Sequence, residues 1–171
     1  AGMRSAWAAF VAGRAEWKRQ ATKAFGEASG MKALLLGRPY AAYDQALSLG
    51  IPEKLEERGV AVFFQDELDL DGFVATEGGR FAERMQWHYG HEILRAAEFA
   101  AATPEVFGVY LSCFRCSPDS FLIGYFKDIM AAYSKPFLVL QLDEHASDIG
   151  YTTRIEAALN SFGNHRGLAV K

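Results

Sequence analysis

Four short, predominantly apolar runs punctuate the chain at residues 32–36, 60–64, 106–111 and 137–142, each bounded by turn-forming residues. The runs are continuous rather than alternating, which is the pattern of strands covered on both faces and hence of a parallel sheet. Helical periodicity fills the intervals. At 100° per residue, Trp7, Phe10, Val11, Trp17, Ala21, Ala24 and Phe25 fall within a sector of about 140°, which predicts an amphipathic helix from Ser5 to about Glu27, closed by Gly30. Residues 43–58 predict one or two short helices broken near Gly50 and Pro52, and residues 81–102 predict one long helix. Phe121, Leu122, Tyr125, Phe126, Ile129, Met130 and Tyr133 mark the face of another, and Ile155, Ala158, Leu159 and Phe162 that of a last.

The order helix, then strand and helix four times over, points to an α/β fold: a three-layer doubly wound arrangement around a four-stranded, mostly parallel sheet. Right-handed crossovers make the strand order 2-1-3-4 the economical one. The expected organisation is an N-terminal helix at 1–30 that packs on an α/β domain at 31–171. Residues 65–80 read as a long polar connection of the kind that forms lids or contact surfaces.

Composition narrows the partners. With 171 residues, half of them hydrophobic, the chain can bury a core without staples. A net charge of −3 lacks the basic excess that phosphate backbones demand, so nucleic acid is not an expected partner. No apolar run approaches the roughly 20 residues of a membrane span, and nothing reads as a secretory signal. A cytoplasmic protein is therefore expected. Both cysteines sit within four residues, Cys113 and Cys116, and a Cys-x-x-Cys pair in such a setting reads as redox or metal chemistry before it reads as a structural bond.

In doubly wound sheets, ligands bind beyond the carboxyl ends of the strands, where strand order reverses. The loops leaving the first and third runs are Gly37-Arg38-Pro39-Tyr40 and Ser112-Cys113-Phe114-Arg115-Cys116, and the fourth run ends in Asp143-Glu144-His145. Ser117 is a good N-cap, Pro118 suits the first helical position and Asp119 the first turn. A thiol just ahead of that helix faces unpaired N–H groups, which favour the thiolate that both metal ligation and redox exchange need. Arg38 and Tyr40 could meet a phosphate or carboxylate, or Arg38 could serve a structural ion pair. Asp143, Glu144 and His145 could do acid–base work or orient a ligand. The Gly37 turn is neither a Gly-x-Gly-x-x-Gly nor a Walker loop. His88, His91 and Glu92 have a spacing that can hold a metal but lack a third ligand nearby in sequence. The acidic stretch from Glu67 to Gly72 fails as a calcium loop because position twelve is Gly78 rather than a bidentate Glu.

Five stretches together carry a family resemblance: LLLGRPYAAYD at 34–44, GIPEKLEERGV at 50–60, MQWHYGHEILRAAEFA at 85–100, VYLSCFRCSPDSFLIGYF at 109–126 and KPFLVLQLDEHASDIGYTTRIEAALNSF at 135–162. Over about residues 31–162 the chain resembles the C-terminal part of the large activase-like proteins associated with 2-hydroxyacyl-CoA dehydratases, the CoA-substrate-specific enzyme activase family. That group is related to the dehydratase subunits and to double-cubane-cluster proteins. The resemblance implies low-potential electron transfer in anaerobes, in which an ATP-hydrolysing activase passes an electron to an iron–sulfur protein. Cys116 matches the family's cluster-type cysteine ahead of Ser-Pro-Asp-Ser, and Cys113 departs from the family pattern.

The leading expectation is an accessory iron–sulfur, electron-transfer domain, with Cys116 and Cys113 as ligands to a [4Fe–4S] or double-cubane cluster. Two cysteines cannot complete such a set, so the chain is expected to be no complete enzyme by itself. It would work with other domains of a larger activase-like protein, a dehydratase-like subunit or a second copy of itself. The alternatives are a cofactor-free acyl-CoA-binding or docking module using Arg38, Tyr40, Ser117, Asp119, Asp143, Glu144 and His145, and a thiol–disulfide switch at Cys113 and Cys116.

Overall fold

A computed structural model of the chain describes residues 2–76, 81–113, 116–143 and 148–167. Its elements are α1 (Gly2–Glu27), β1 (Lys32–Gly37), α2 (Pro39–Ala42), α3 (Ile51–Glu56), β2 (Ala61–Phe64), α4 (Phe81–Arg84), α5 (His88–Ala102), β3 (Val106–Cys113), α6 (Ser117–Ala132), β4 (Leu138–Leu142) and α7 (Asp148–His165). The four strands form one sheet in the order β2-β1-β3-β4, and every neighbouring pair is parallel. The expected fold class and strand order both hold.

The reason is visible in the side chains of β1. Ala33 and Leu35 point to one face and Leu34 and Leu36 to the other, and all four are buried, as a two-sided strand requires. Leu34, Leu36 and Tyr110 meet Ile93, Leu94 and Ala97 of α5 and Leu122, Phe126 and Ile129 of α6. Ala33, Leu35, Val109 and Leu111 meet Ile51 and Leu55 of α3 and Tyr151, Ile155 and Phe162 of α7. Two apolar layers thus sandwich the sheet. On the second, Phe107 and Phe162 stack with centroids 4.4 Å apart.

Three expectations change. The single helix expected over 81–102 is two, α4 and α5. Residues 85–87 fold back over Gly90, where a Cβ would come within 2.9 Å of Met85 Cγ and of Trp87 Cε3. Polar groups lock the fold-back: His91 Nδ1 lies 2.8 Å from the Ala82 carbonyl, and the Ala82 amide donates to Glu98 Oε1 at 3.2 Å. The connection after β2 is not wholly a surface loop either, because Leu68, Leu70 and Ala75 are buried in it. The stripe of α1 is the third case. None of its residues is fully buried. It touches the body through Trp17, which meets Tyr43 at 6.5 Å, and through Phe25, which meets Phe63 at 5.0 Å and Phe99 at 5.8 Å, while its N-terminal half is exposed.

Candidate functional site

The switch point between β1 and β3 fixes the site. Gly37 ends β1 with φ +149°, and a Cβ there would lie 2.4 Å from the carbonyl oxygen of Leu111, its partner on β3. Only glycine lets the two backbones approach this closely. Its amide donates to Gln65 Oε1 at 3.0 Å, which ties down the end of β2 as well. The chain then turns through Arg38, in extended conformation ahead of α2, with Pro39 opening the short helix.

This turn delivers the Arg38 guanidinium to the start of α6. Nη2 donates to Cys116 Sγ. Nε lies 3.0 Å from Asp119 Oδ1, close enough for an ion pair but not aligned for a hydrogen bond, so both atoms are buried without a hydrogen-bond partner. The guanidinium carbon also sits 4.7 Å from the ring centre of Tyr40, a cation–π distance. Asp119 is fully buried and receives a hydrogen bond from Ser112 Oγ at 3.1 Å.

The electrostatics follow. Burial opposes the charge on Arg38, but Asp119 and the neighbouring Tyr40 and Cys116 outweigh it and raise its pKa. Burial pushes the Tyr40 phenol up to about 12, against the pull of Arg38. Burial, then the Asp119 charge, pushes the Cys113 thiol up, with a hydrogen bond to Tyr40 acting the other way. The Tyr110 hydroxyl, at the floor, is buried without a hydrogen-bond partner, and desolvation followed by the Asp119 charge raises its pKa.

The structure therefore brings together Arg38, Tyr40, Cys113, Cys116 and Asp119 of the expected set. Neither thiol is in a disulfide, and both are half-buried. The helix start moves by one residue, since Cys116 rather than Ser117 is the N-cap of α6 and its side chain caps no amide. Proline is tolerated at either of the first two positions, because neither N–H has a partner in the helix. Ser117 is exposed at the first helical position. Asp143 lies just past the end of β4, where Leu142 pairs with Cys113, and its amide donates to the Tyr151 hydroxyl at 2.9 Å. Glu144 and His145 lie outside the described residues, as do Phe114 and Arg115. The expectation missed Tyr110 and Ser112. Both were read as members of an apolar run and its exit, and only the alternation of a strand, which turns them toward the α6 side, could have signalled them.

Elsewhere the metal readings find no support. The His91 ring is engaged by a backbone carbonyl, Glu67 Oε2 accepts from the Phe64 amide at 2.9 Å, and among the described residues no group of three His, Cys, Asp or Glu could hold a metal ion. No helix among them is long and apolar enough to cross a membrane.

No curated protein and no solved structure matches the chain. A family model does match, at residues 1–68, a stretch that takes in α1 as well as the start of the region from residue 31 that carries the sequence resemblance. Its description is CoA enzyme activase uncharacterised domain, and the first 68 residues are similar to it.

Proposed function

We propose that the chain is an accessory electron-transfer domain of an ATP-dependent activase system of the 2-hydroxyacyl-CoA dehydratase type, working in the cytoplasm of an anaerobe. The family match makes enzyme components of a CoA-dependent system the natural partners. In this reading residues 1–30 are a helical extension and residues 31–171 the α/β body. The observation that carries the reading is the placement of Cys116: a half-buried sulfur at the start of α6, in the crevice at the switch point, held against the guanidinium of Arg38.

An iron–sulfur cluster does not fit this chain alone. A cubane takes four thiolates, and the sequence holds two cysteines. Cys116, with Cys113 beside it, forms half of such a donor set, which another chain or segment would complete; a bound cluster would supply one-electron redox chemistry. The residues in hand do the positioning. Asp119, itself held by Ser112, anchors Arg38, and Arg38 fixes the orientation of the Cys116 sulfur. Anaerobic isolation of the protein with its native companion components, followed by iron and sulfide analysis and a visible spectrum, tests this. Iron bound by the wild type and lost in Cys116→Ser is the expected result. Iron absent with Cys116 intact overturns it.

A second reading rests on the orphaned Arg38 Nε and Tyr110 hydroxyl, since buried polar atoms without partners suit a site completed by a ligand. Here the crevice holds an acyl-CoA-like anion and needs no cofactor. Calorimetric titration of an acyl-CoA into wild type and Arg38→Ala separates the readings: equal affinity in both removes the second.

A further inference from the structure

The free half of α1 carries a pattern that the strand-end site does not use. Met3, Trp7, Phe10, Arg14 and Trp17 follow one another at alternating intervals of four and three residues, and Ala21 and Ala24 continue the series. This is the seam of a two-stranded coiled coil rather than the broader stripe of a helix lying on a sheet. The body covers its C-terminal end, and Trp17 meets Tyr43 with ring centres 6.5 Å apart. Met3 is 85% exposed, Trp7 66%, Phe10 56% and the adjacent Val11 49%. A helical stretch of this length is marginal in water unless something covers its apolar face.

We propose that this face pairs with the same face of a second copy of the chain, as an antiparallel helix pair crossing near Phe10. Self-complementarity argues for a second copy. A two-fold axis at Phe10 sets Trp7 opposite Gly13, Met3 opposite Trp17 and Arg4 opposite Glu16 of the other copy. Gly13 has no reason to be glycine within its own chain, because a Cβ there would meet nothing within 4 Å, and glycine weakens a helix interior relative to alanine. A tryptophan from a partner helix supplies the reason. Room exists beside the helix: α1 overhangs a groove of about 530 Å³, with Phe10, Gly13, Arg14 and Trp17 on one wall and Pro39 and Tyr89 on the other.

Charge permits the pairing and argues against a lipid surface. The whole of α1 carries five basic and two acidic residues, and the overlapping stretch, residues 2–18, holds Arg4, Arg14 and Lys18 against Glu16. The two Arg4–Glu16 pairs that this register forms offset part of the repulsion between the copies. In a membrane-bound helix the cations flank the apolar face, whereas here Arg14 lies in the seam and the opposite face is Ala8, Ala12 and Ala15. An overlap of about 26 Å at 1.5 Å per residue is short, so the dimer is concentration-dependent in the micromolar range.

Sedimentation velocity over that range tests the pairing. The expected result is a reversible dimer that becomes monomeric in Trp7→Glu and in Phe10→Glu, with circular dichroism unchanged in the body. In a Cys113→Ser, Cys116→Ser background, Phe10→Cys joins to itself through a short bismaleimide, and Ala8→Cys on the far face does not. A chain that stays monomeric throughout overturns the proposal. So does a dimer that survives both glutamate substitutions, or cross-linking of Ala8→Cys as fast as Phe10→Cys. None of these outcomes bears on the electron-transfer reading.

Discussion

Two buried cations sit at opposite edges of the sheet, and they are held in different ways. Lys135, at the amino edge, is nearly fully buried, and its ammonium donates to the carbonyls of Thr103 at 2.6 Å and Pro104 at 2.8 Å and lies 4.8 Å from the Phe107 ring centre. Backbone acceptors satisfy it, and its work is finished: it closes the C-terminus of α5. Arg38, at the carboxyl edge, is held by side chains, and leaves Nε, Asp119 Oδ1 and the Tyr110 hydroxyl without hydrogen bonds. One edge is a completed structural joint. The other leaves these atoms without hydrogen bonds around a sulfur, with Arg38 Nε and Asp119 Oδ1 held as an ion pair.

The comparison breaks most sharply at Asp119. Asp119→Ala leaves the Arg38 charge half-buried and unpaired, with an expected loss of about 3 kcal/mol, the lower end for a buried pair, because the Arg38 side chain keeps 21% of its surface exposed. Chemical denaturation measures it, and an effect under about 1 kcal/mol would show that the pair is no anchor. Gly37→Ala follows, at about 1–3 kcal/mol, the range for forced overpacking, since the atom it strikes is the backbone oxygen of Leu111 and not a movable side-chain tip. Lys135→Met is the mildest, at about 1 kcal/mol: it frees two carbonyls but also removes a buried charge.

The Lys135 edge also has a pH signature. Burial, and then the nearby Arg166 charge, lower its pKa from an ordinary 10.5 to about 8. The unfolded chain thus binds the extra proton between these values, and stability gained from this group rises as pH increases from about 8 to 10.5. The slope of denaturation midpoint against pH over that window should be more negative in Lys135→Met than in wild type, because only the rising contribution of Lys135 is removed. Identical slopes would mean that the ammonium is not desolvated as described.

The sheet was legible because its central strands, β1 and β3, are buried on both faces, and a continuous apolar run reports that directly. The crevice was legible in outline, since topology alone places the ends of β1 and β3 together. Its wiring was not. Asp119 announces itself in sequence as a first-turn acid, and nothing local reveals that it holds Arg38, 81 positions away. The break between α4 and α5 was hidden for a related reason: the apolar period runs through residues 85–87, and the fold-back is decided by what surrounds Gly90 in space. In α1 the stripe was read correctly as amphipathic, yet period alone does not say whether the body or another helix covers it.

The register of the central strands has a consequence for the segment that the family model matches. β1 pairs with β3 over six residues, Lys32 to Val106 through Gly37 to Leu111, while residues 1–68, the matched segment, contain only β1 and β2. Cut after Leu68, β1 would become an open edge, with neither α5 nor α6 to cover Leu34 and Leu36. Parallel partners so distant in sequence also join late, after a long loop has closed. Within this chain the matched segment therefore has no covered sheet of its own: β1 is enclosed only when β3, α5 and α6 are in place.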